Sequence, residues 1–284
     1  MSSNNNNSIH WFPGHMTKAL RLIEANAGLC DVIVYVLDSR APYSCLNPSL
    51  DSVIGGKPIV YALNKADLTL PSKLRDVAAR LTVRGNIAAA IDSTKSNDAK
   101  IVVSLIKRIC KARLDKFAVK GVKIALRAMV VGVPNSGKST LINNLAGLSK
   151  TVVGNRPGVT RGKQWVRVDD YLEVLDTPGT LYPKIEDQET AYKLAAIGSI
   201  KDDVVDTNEL AVRVIKMLDG TDPAIINTRY NIARDDGING DELVAMIAKK
   251  RGYLMQGGVA DIDRASAAIV DDLRKGRLGK VFLD

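Results

Sequence analysis

Eight consecutive residues near the middle of the chain have the composition of a phosphate-binding loop. Residues 132–139 read Gly-Val-Pro-Asn-Ser-Gly-Lys-Ser, which matches G-x-x-x-x-G-K-S. Glycines let the backbone wrap closely around a phosphate, so that successive N–H groups and the start of the next helix point at it. Lys138 can then reach the β- and γ-phosphates, and Ser139 can hold a Mg²⁺ ion.

The flanks of this loop favour the functional interpretation over an ordinary glycine-containing turn. The apolar run 128–131 is typical of a buried strand, and residues 140–145 have the periodicity of a helix, which is the context that the motif needs. The predicted nucleotide contacts of the loop are Pro134, Asn135, Ser136, Gly137, Lys138, Ser139 and Thr140.

A second motif, Asn64-Lys65-Ala66-Asp67, directly follows an apolar run at 59–63. It matches N-K-x-D, the pattern of guanine-specific GTPases. The Asp67 carboxylate offers two acceptors for the N1–H and amine of guanine, whereas adenine would leave that charge unsatisfied. Asn64 can hydrogen-bond N7 and hold neighbouring loops, and Lys65 can lay its methylene stem over the base. Alone the pattern is often a solvated turn, but beside a phosphate loop it predicts a guanine nucleotide.

Two other strand ends are expected near the base. A strand at 86–91 is followed by Asp92-Ser93-Thr94-Lys95, where we expect the Ser93 backbone N–H to face guanine O6. A strand at 32–37 is followed by Asp38-Ser39-Arg40. Asp38 and Arg40 could face the nucleotide from that edge, or could cap and pair locally.

A third motif, Asp176-Thr177-Pro178-Gly179, follows a predicted strand at 172–175. Asp176 would hold Mg²⁺, usually through water, and the Gly179 N–H would sense the γ-phosphate. Between this motif and the phosphate loop, Pro157-Gly158-Val159-Thr160 is either an ordinary turn or a switch whose Thr160 closes on Mg²⁺ and the γ-phosphate. The predicted magnesium set is Ser139, Thr160 and Asp176.

The order of the motifs predicts a circular permutation. Ordinary small GTPases have the phosphate loop first and the guanine motif late, whereas here residues 64–67 precede residues 132–139. A helix predicted from 98 to about 118 would be the last element in the usual order and would pack near the first strand. A link through residues 119–123 would therefore join termini that were already adjacent.

The chain resembles the bacterial RbgA/YlqF family of circularly permuted GTPases. The family's motifs W-F-P-G-H-M at 11–16, N-K-x-D, G-x-P-N-x-G-K-S, P-G-x-T and D-T-P-G stand in the family's order, and G-R-L-G-K follows at 276–280. The resemblance spans nearly the whole chain. It implies an α/β fold, with a circularly permuted Ras-like P-loop GTPase domain followed by a small all-helical domain.

The resemblance also implies a function: GTP hydrolysis in late maturation of the large ribosomal subunit, with nucleotide-dependent binding to ribosomal RNA of the precursor particle. It associates Asn135 with a K⁺ ion near the phosphates, although a turn-forming Asn explains that residue equally well. Ras-like GTPases orient the attacking water with a Gln at the position held here by Thr180. The family's proposed substitute is His15, and the resemblance implies a catalytic set of His15, Lys138, Thr160 and Gly179.

Composition and charge fit this interpretation. The chain has 284 residues, 46% of them hydrophobic, a formal net charge of +9 and a pI of about 9.4, so an anionic partner would be steered towards it. The three cysteines lack C-x-x-C spacing, which favours neither a disulfide framework nor a zinc site. No apolar run approaches the length of a membrane span. We therefore expect a cytoplasmic protein. We also expect a monomer without membrane contact, which the composition itself does not determine.

Three parts are predicted: a disordered tail at 1–8, the GTPase domain at 9–183 and a helical RNA- and ribosome-binding domain at 184–284. Helices are expected at 207–218, 241–250 and 261–275, with Asp241 and Asp261 as N-caps and Gly252 and Gly276 as stops. Five basic residues are candidate phosphate contacts. They are Arg264, Arg274, Lys275, Arg277 and Lys280.

A second basic cluster runs along the predicted 98–118 helix and beyond it. Its members are Lys107, Arg108, Lys111, Arg113, Lys116, Lys120, Lys123 and Arg127. A solvated helix face and an RNA-facing patch explain this run equally well.

Two other functions are compatible with parts of the sequence. A nucleotide-gated RNA-binding protein with negligible hydrolysis would use the same motifs without partner-stimulated turnover. A P-loop kinase would need a phosphoryl-acceptor site and lid arginines, which the sequence does not reveal, and would leave residues 64–67 unexplained.

Overall fold

The computed structural model describes residues 14–148, 165–181, 185, 187–233 and 237–284. The side chains of residues 14 and 15 lie outside this description, as do the predicted tail at 1–8 and Thr160. The described residues divide into two compact units. One lies within residues 13–183, and the other lies within residues 184–284.

The first unit is a parallel α/β sheet with helices packed on it. Its strands are β1 (Val32–Asp38), β2 (Ile59–Asn64), β3 (Ile87–Ala90), β4 (Leu126–Val131), β5 (Trp165–Asp169) and β6 (Leu172–Asp176). Its helices are α1 (Gly14–Ala27), α2 (Pro48–Ile54), α3 (Pro71–Leu81), α4 (Ser96–Ile109), α5 (Lys111–Ala118) and α6 (Lys138–Ala146).

The strand order is β3-β2-β1-β4-β6-β5, and all neighbours are parallel except β5 with β6. Every residue of β1 is buried, as expected for a parallel strand covered on both faces. Because the strands are parallel, β1, β2, β4 and β6 deliver their C-terminal ends to one edge of the sheet. Ligands of open α/β sheets bind at this edge.

The predicted α/β class and GTPase order are confirmed: β2, which leads into the guanine motif, precedes β4, which leads into the phosphate loop. The predicted 98–118 helix is wrong as a single element. It is two helices, α4 and α5, because the backbone at Cys110 leaves the helical region (φ −96°, ψ 11°) while its side chain stays in the core beside Val102 and Ile106.

The second unit is helical in the part that the structure describes. Its helices are α7 (Gln188–Ala196), α8 (Thr207–Asp219), α9 (Ala224–Tyr230), α10 (Gly240–Arg251) and α11 (Ile262–Arg274). Asp261 caps α11 as predicted, by accepting from the Arg264 N–H. The Asp241 cap is wrong: Asn239 caps α10 in a reciprocal box with Glu242, so Asp241 lies in the first turn instead.

Candidate nucleotide-binding site

The loop between β4 and α6 needs glycine at two positions for steric reasons. A Cβ on Gly132 would lie 2.3 Å from the Val36 carbonyl oxygen, and a Cβ on Gly137 would lie 2.0 Å from Asn64 Nδ2. Both residues also have positive φ, 148° and 99°, which side chains disfavour. The loop is therefore packed closely against β1 on one side and against the guanine motif on the other.

Lys138 occupies the first turn of α6 and is buried, with 7% of its surface exposed. Its Nζ donates to the carbonyl of Val133 at 2.7 Å. Burial lowers the pKa of Lys138 to about 8, although the nearby Asp176 carboxylate opposes the shift. The ammonium is held within the loop, where its charge is available to a phosphate.

Asn64 joins the phosphate loop to the loop after β3. Its Nδ2 donates to the Ser136 carbonyl at 2.7 Å, and its Oδ1 accepts from the Ser93 N–H at 2.8 Å. Asn64 and Ser93 are both buried. The expectation that the Ser93 N–H faces guanine O6 needs correction, because that N–H is engaged by Asn64. Ser93 is instead a fixed point of the loop.

Lys65 is the second link between the two motifs. It adopts a left-handed backbone (φ 58°), and its Nζ donates to the Asn135 carbonyl and to Asp38 Oδ2, both at 2.8 Å. Asp38 also pairs with Arg40 at 2.7 Å, and both side chains are 1% exposed. The interpretation of Asp38 and Arg40 as a local pair is confirmed.

The charges around Asp38 explain its ionisation. Burial alone would raise the pKa of its carboxyl, but hydrogen bonds and charges from Arg40 and Lys65 together hold the pKa below its ordinary value. A charged Asp38 therefore anchors Lys65, and through Lys65 the backbone of Asn135.

Asp67 lies in the short 3-10 turn Ala66–Leu68 that follows β2. Its carboxylate is exposed, unlike that of Asp38, and makes no hydrogen bond within the described part of the chain. An exposed, unshared carboxylate beside the Asn64 link is able to accept two hydrogen bonds from a base edge.

Asp176 ends β6 and is paired in register with Val130, near the end of β4, so its carboxylate lies at the entrance of the phosphate loop. The carboxylate is exposed. Partial desolvation raises its pKa, and the Lys138 charge and the Thr177 N–H oppose the rise. Thr177 itself donates from Oγ1 to the Val130 carbonyl at 2.6 Å, which fixes the segment after β6.

Two of the three predicted magnesium ligands suit that ion. Ser139 is exposed in the first turn of α6, and Asp176 is exposed at the end of β6. A hydroxyl and a carboxylate are hard oxygen donors of the kind that Mg²⁺ prefers, with water and phosphate oxygens completing its octahedron. These two residues would hold the ion, which neutralises charge on the phosphates when bound. Thr160, the third, lies outside the described residues.

Gly179 and Thr180 pack directly against the phosphate loop. A Cβ on Gly179 would lie 2.8 Å from the Pro134 backbone and 3.0 Å from Lys138 Nζ. The Thr180 N–H donates to the Gly132 carbonyl at 3.0 Å. The side-chain oxygens of Thr180 and Ser136 are buried without a hydrogen-bond partner in the described structure, so polar capacity remains at this side of the loop.

Two residues of the site were not anticipated from the sequence. Thr177 stands inside the D-T-P-G motif, but no role was assigned to its hydroxyl. Asn144, on α6, donates from Nδ2 to the Ser93 carbonyl. No motif marks Asn144, and only its helical spacing from the phosphate loop could have suggested that it faces a neighbouring loop.

Comparison with known proteins agrees with this geometry. The family model described as a 50S ribosome-binding GTPase matches residues 127–239. "Ribosome biogenesis GTPase A" of Bacillus cereus is 39% identical over 97% of this chain and 93% of its own length. The protein of the same name from Thermotoga maritima is 31% identical over 96% and 93%.

The chain belongs to the ribosome biogenesis GTPase A family. Solved structures of YlqF from Thermotoga maritima, one GDP-bound and one GNP-bound, each have a TM-score of 0.67, at 25% and 26% identity. They cover 93% and 94% of this chain and 98% and 97% of their own. Membership in the ribosome biogenesis GTPase A family makes this chain a GTP-hydrolysing enzyme with a circularly permuted P-loop GTPase domain.

The basic cluster of α4, α5 and the link to β4 separates into two classes. Four of its residues form ion pairs, namely Lys107 with Asp169, Lys111 with Asp115, Arg113 with Asp31, and Arg127 with Glu173. The other four are exposed and have no acidic partner within the described ranges. These are Arg108, Lys116, Lys120 and Lys123.

The candidate phosphate contacts of the second unit also differ from one another. Arg274 binds Asp202 and the Ala195 carbonyl, so it holds that unit together. Arg277 and Lys275 share Asp271. Lys280 is exposed without an acidic partner in the described chain, and Lys249 and Lys250 at the end of α10 share this property.

Two further expectations from composition concern the cysteines and membrane-spanning segments. Cys30, Cys45 and Cys110 are all buried, and within the described residues they form no disulfide. Across the described ranges, every helix is too short or too polar to cross a membrane.

Proposed function

We propose that this chain is a GTPase of late large-subunit maturation in the cytoplasm, and that it binds the precursor particle and its ribosomal RNA in a nucleotide-dependent way as a monomer. The observation that carries the guanine-nucleotide part is the double link of Asn64 to Ser136 and Ser93. It joins the base-reading motif to the phosphate loop, so that one ligand can contact both.

The ribosomal part rests on family membership and on charge. The relatives are named for ribosome biogenesis, and the matching family model for 50S binding. In this chain, exposed lysines without acidic partners in the described ranges occur at Lys116, Lys120 and Lys123, and again at Lys249 and Lys250. A cation outside any ion pair has no salt bridge to break when it binds an RNA phosphate. Phosphate contacts dominate the affinity of such interfaces.

In this proposal each part of the site has a defined task. Asp67 reads the base edge, Asn64 and Lys65 hold the loops together, and Lys138 places positive charge on the β- and γ-phosphates. Ser139 and Asp176 hold Mg²⁺ together with Thr160, and the Gly179 N–H reports the γ-phosphate. We assign the O6 contact to the Thr94 N–H. Unlike Ser93, Thr94 is exposed, and its N–H donates to the side chain of the neighbouring Asp92, a local contact that it exchanges for the base when a nucleotide binds.

The attacking water needs a positioning group, because Thr180 is buried and carries no amide. We propose His15, near the start of α1, as that group. An imidazole that titrates near neutrality can accept the hydrogen bond of the water. Leu181, two residues after Gly179, contacts the same helix through its N–H and Met16 Sδ at 3.5 Å, so α1 adjoins the end of the switch segment.

Phosphate release with and without purified large-subunit particles tests this function. We expect the particles to stimulate turnover and His15→Ala to lower the stimulated rate by about 10²-fold, with GTP affinity near normal. His10→Ala is the matched control and should change little. Absence of stimulation would contradict the ribosomal role, and an unchanged rate in His15→Ala would remove His15 from the mechanism.

Direct binding separates the RNA-facing residues from the structural ones. Sedimentation of the protein with particles should require GTP or a non-hydrolysable analogue, and Lys249→Gln with Lys250→Gln should weaken it and reduce its salt dependence. Arg274→Gln should instead lower thermal stability, because it breaks the contacts with Asp202 and Ala195. Equal binding in the presence of GDP and GTP would overturn nucleotide dependence.

A further inference from the structure

Asn144 lies on α6, outside the phosphate-loop motif and outside the base-reading motifs. Its Nδ2 donates to the carbonyl of Ser93, and its side chain is half-buried. Ser93 is itself 3% exposed and begins the loop that faces the base. Asn143, the preceding residue, is exposed, so the helix presents only one of its two neighbouring amides to this loop.

The contact completes a closed circuit of hydrogen bonds. The Ser136 carbonyl accepts from Asn64, Asn64 accepts from the Ser93 N–H, and the Ser93 carbonyl accepts from Asn144. Ser136 and Asn144 belong to the same loop-helix element. The peptide groups on both sides of Ser93 are therefore fixed, one from the guanine motif and one from α6.

Close packing at the same place supports this reading. A Cβ added to Gly137 would meet Asn64 Nδ2 at 2.0 Å and Ser93 Oγ at 3.2 Å. The guanine motif, the base-facing loop and the start of α6 therefore converge within contact distance. The packing around Gly137 and the hydrogen bond from Asn144 both restrict small rotations of the loop at residues 92–95.

We infer that Asn144 is a positioning residue for guanine recognition. It holds the Ser93–Thr94 peptide by its carbonyl, so that the N–H of the same peptide, on Thr94, can exchange its local bond to Asp92 for the O6 edge of the base. This inference rests on the proposed guanine site. Asp67 reads the opposite edge, where the amine stands, and the circuit does not pass through it. Loss of Asn144 should therefore impair discrimination at O6 and spare discrimination at the 2-amino group.

Three diphosphates separate the two edges: GDP, inosine diphosphate, which lacks the 2-amino group, and 6-thioguanosine diphosphate, which keeps the N1–H and the amine but replaces O6 by a weakly accepting sulfur. Their dissociation constants would be measured for the full-length wild type, Asn144→Asp and Asn143→Asp. Aspartate matches asparagine in shape but cannot donate to the Ser93 carbonyl. Asn143→Asp is the control, since it adds the same charge one residue away on an exposed face.

We expect Asn144→Asp to reduce the preference for GDP over the 6-thioguanosine nucleotide about fivefold, the scale of one uncharged hydrogen bond. The preference for GDP over inosine diphosphate should stay constant, and Asn143→Asp should change neither ratio. Asn144→Gln, which keeps a donor amide, should recover part of the lost preference.

An unchanged O6 preference in Asn144→Asp would overturn the inference. So would an equal fall in both preferences, because that pattern indicates general loosening of the site. If the wild type does not distinguish GDP from ADP, the guanine site itself is wrong. If the wild type prefers GDP over ADP but ignores O6, only the role of the loop and of Asn144 is refuted.

Discussion

The base side and the phosphate side of the site differ in how far folding has already engaged their polar groups. On the base side, Asn64, Lys65 and Ser93 are held by hydrogen bonds to one another's loops. On the phosphate side, the Ser136 and Thr180 hydroxyls are buried without partners in the described structure. Ser139 and Asp176 are exposed there.

This difference indicates two kinds of preorganisation. The loops of the base side are fixed by the protein alone and leave the exposed Asp67 carboxylate to read the base, so this side sets specificity at little reorganisation cost. The phosphate side retains unsatisfied hydroxyls and exposed oxygens, which are suited to ligands whose charge changes during the reaction. Changes on the base side should therefore act on which nucleotide binds, and changes on the phosphate side on pH and ion dependence.

The largest effect is expected where the two sides touch. Gly137→Ala places a Cβ 2.0 Å from Asn64 Nδ2 in a left-handed backbone, so the loop must move or the link to Ser136 must break. We expect at least about a hundredfold loss of GDP affinity, measured by calorimetry. Gly147→Ala, whose Cβ contacts begin at 3.5 Å, is the control. Comparable affinity in both variants would show that the two sides are not mechanically joined.

Asp67→Asn tests the base side alone. Replacing the exposed carboxylate by an amide removes a charge-assisted hydrogen bond worth about 1.5–3 kcal/mol, so GTP should bind roughly 10- to 100-fold more weakly. Xanthosine triphosphate should bind better, because the amide can donate to its 2-keto group. The measurement is competition between the two nucleotides. Asp76→Asn, at an exposed position of α3, should leave both unchanged, and an unaltered base preference in Asp67→Asn would refute the assignment.

Burial of Lys138 gives the phosphate side a pH dependence of its own. Its pKa in the free protein is about 8, below its ordinary 10.5, and a bound phosphate raises it by favouring the charged form. Binding then takes up a proton wherever Lys138 is neutral, so affinity should be close to its maximum at pH 7, about half of it at pH 8 and about tenfold lower at pH 9.

Lys138→Arg separates this effect from titration of the base. Its guanidinium stays charged throughout this range, so its affinity, although weaker, should remain flat up to pH 9. GDP affinities of both proteins from pH 7 to 9 provide the test. Parallel curves would show that another group controls the pH dependence.

The smallest predicted effect concerns a monovalent cation near Asn135. Turnover in K⁺ should exceed turnover in Na⁺ about three- to fivefold, a barrier difference of under about 1 kcal/mol. Asn135 has φ of 59°, so Asn135→Gly removes the amide without straining the backbone and should abolish the difference. Equal wild-type rates in both salts, measured by phosphate release, would leave Asn135 as a turn residue only.

Much of the fold was predictable because its signals are local. Apolar runs that end in D-S-R, N-K-A-D and D-T-P-G predict strands, and the structure has β1, β2 and β6 there. The break at Cys110 was not predictable, because helical periodicity continues through it and the non-helical backbone at this residue (φ −96°, ψ 11°) is visible only in the structure. Strand β5 and helix α9 were not foreseen either.

The residues of the site were more predictable than the hydrogen bonds between them. Motifs supplied Asn64, Lys65 and Lys138, because the chemistry of a nucleotide dictates those residue types. Ser93 was assigned the wrong hydrogen bond, since its partner Asn64 is far away in sequence and the pairing depends on sheet order. Asn144 had no signal at all, because a single amide on a helix is informative only when the facing loop is known.

The link between Asn64 and Ser136 spans 72 positions of sequence, and this has a consequence for biosynthesis. Synthesis proceeds from the N-terminus, so β1, β2 and β3 leave the ribosome with the base-reading loops before β4 and the phosphate loop exist. Pairing of β1 with β4 must then complete the sheet before a nucleotide can bind both loops. A nascent chain of this enzyme therefore acquires nucleotide affinity late and abruptly, and GTP can act as a folding ligand only after α6 and β6 have emerged.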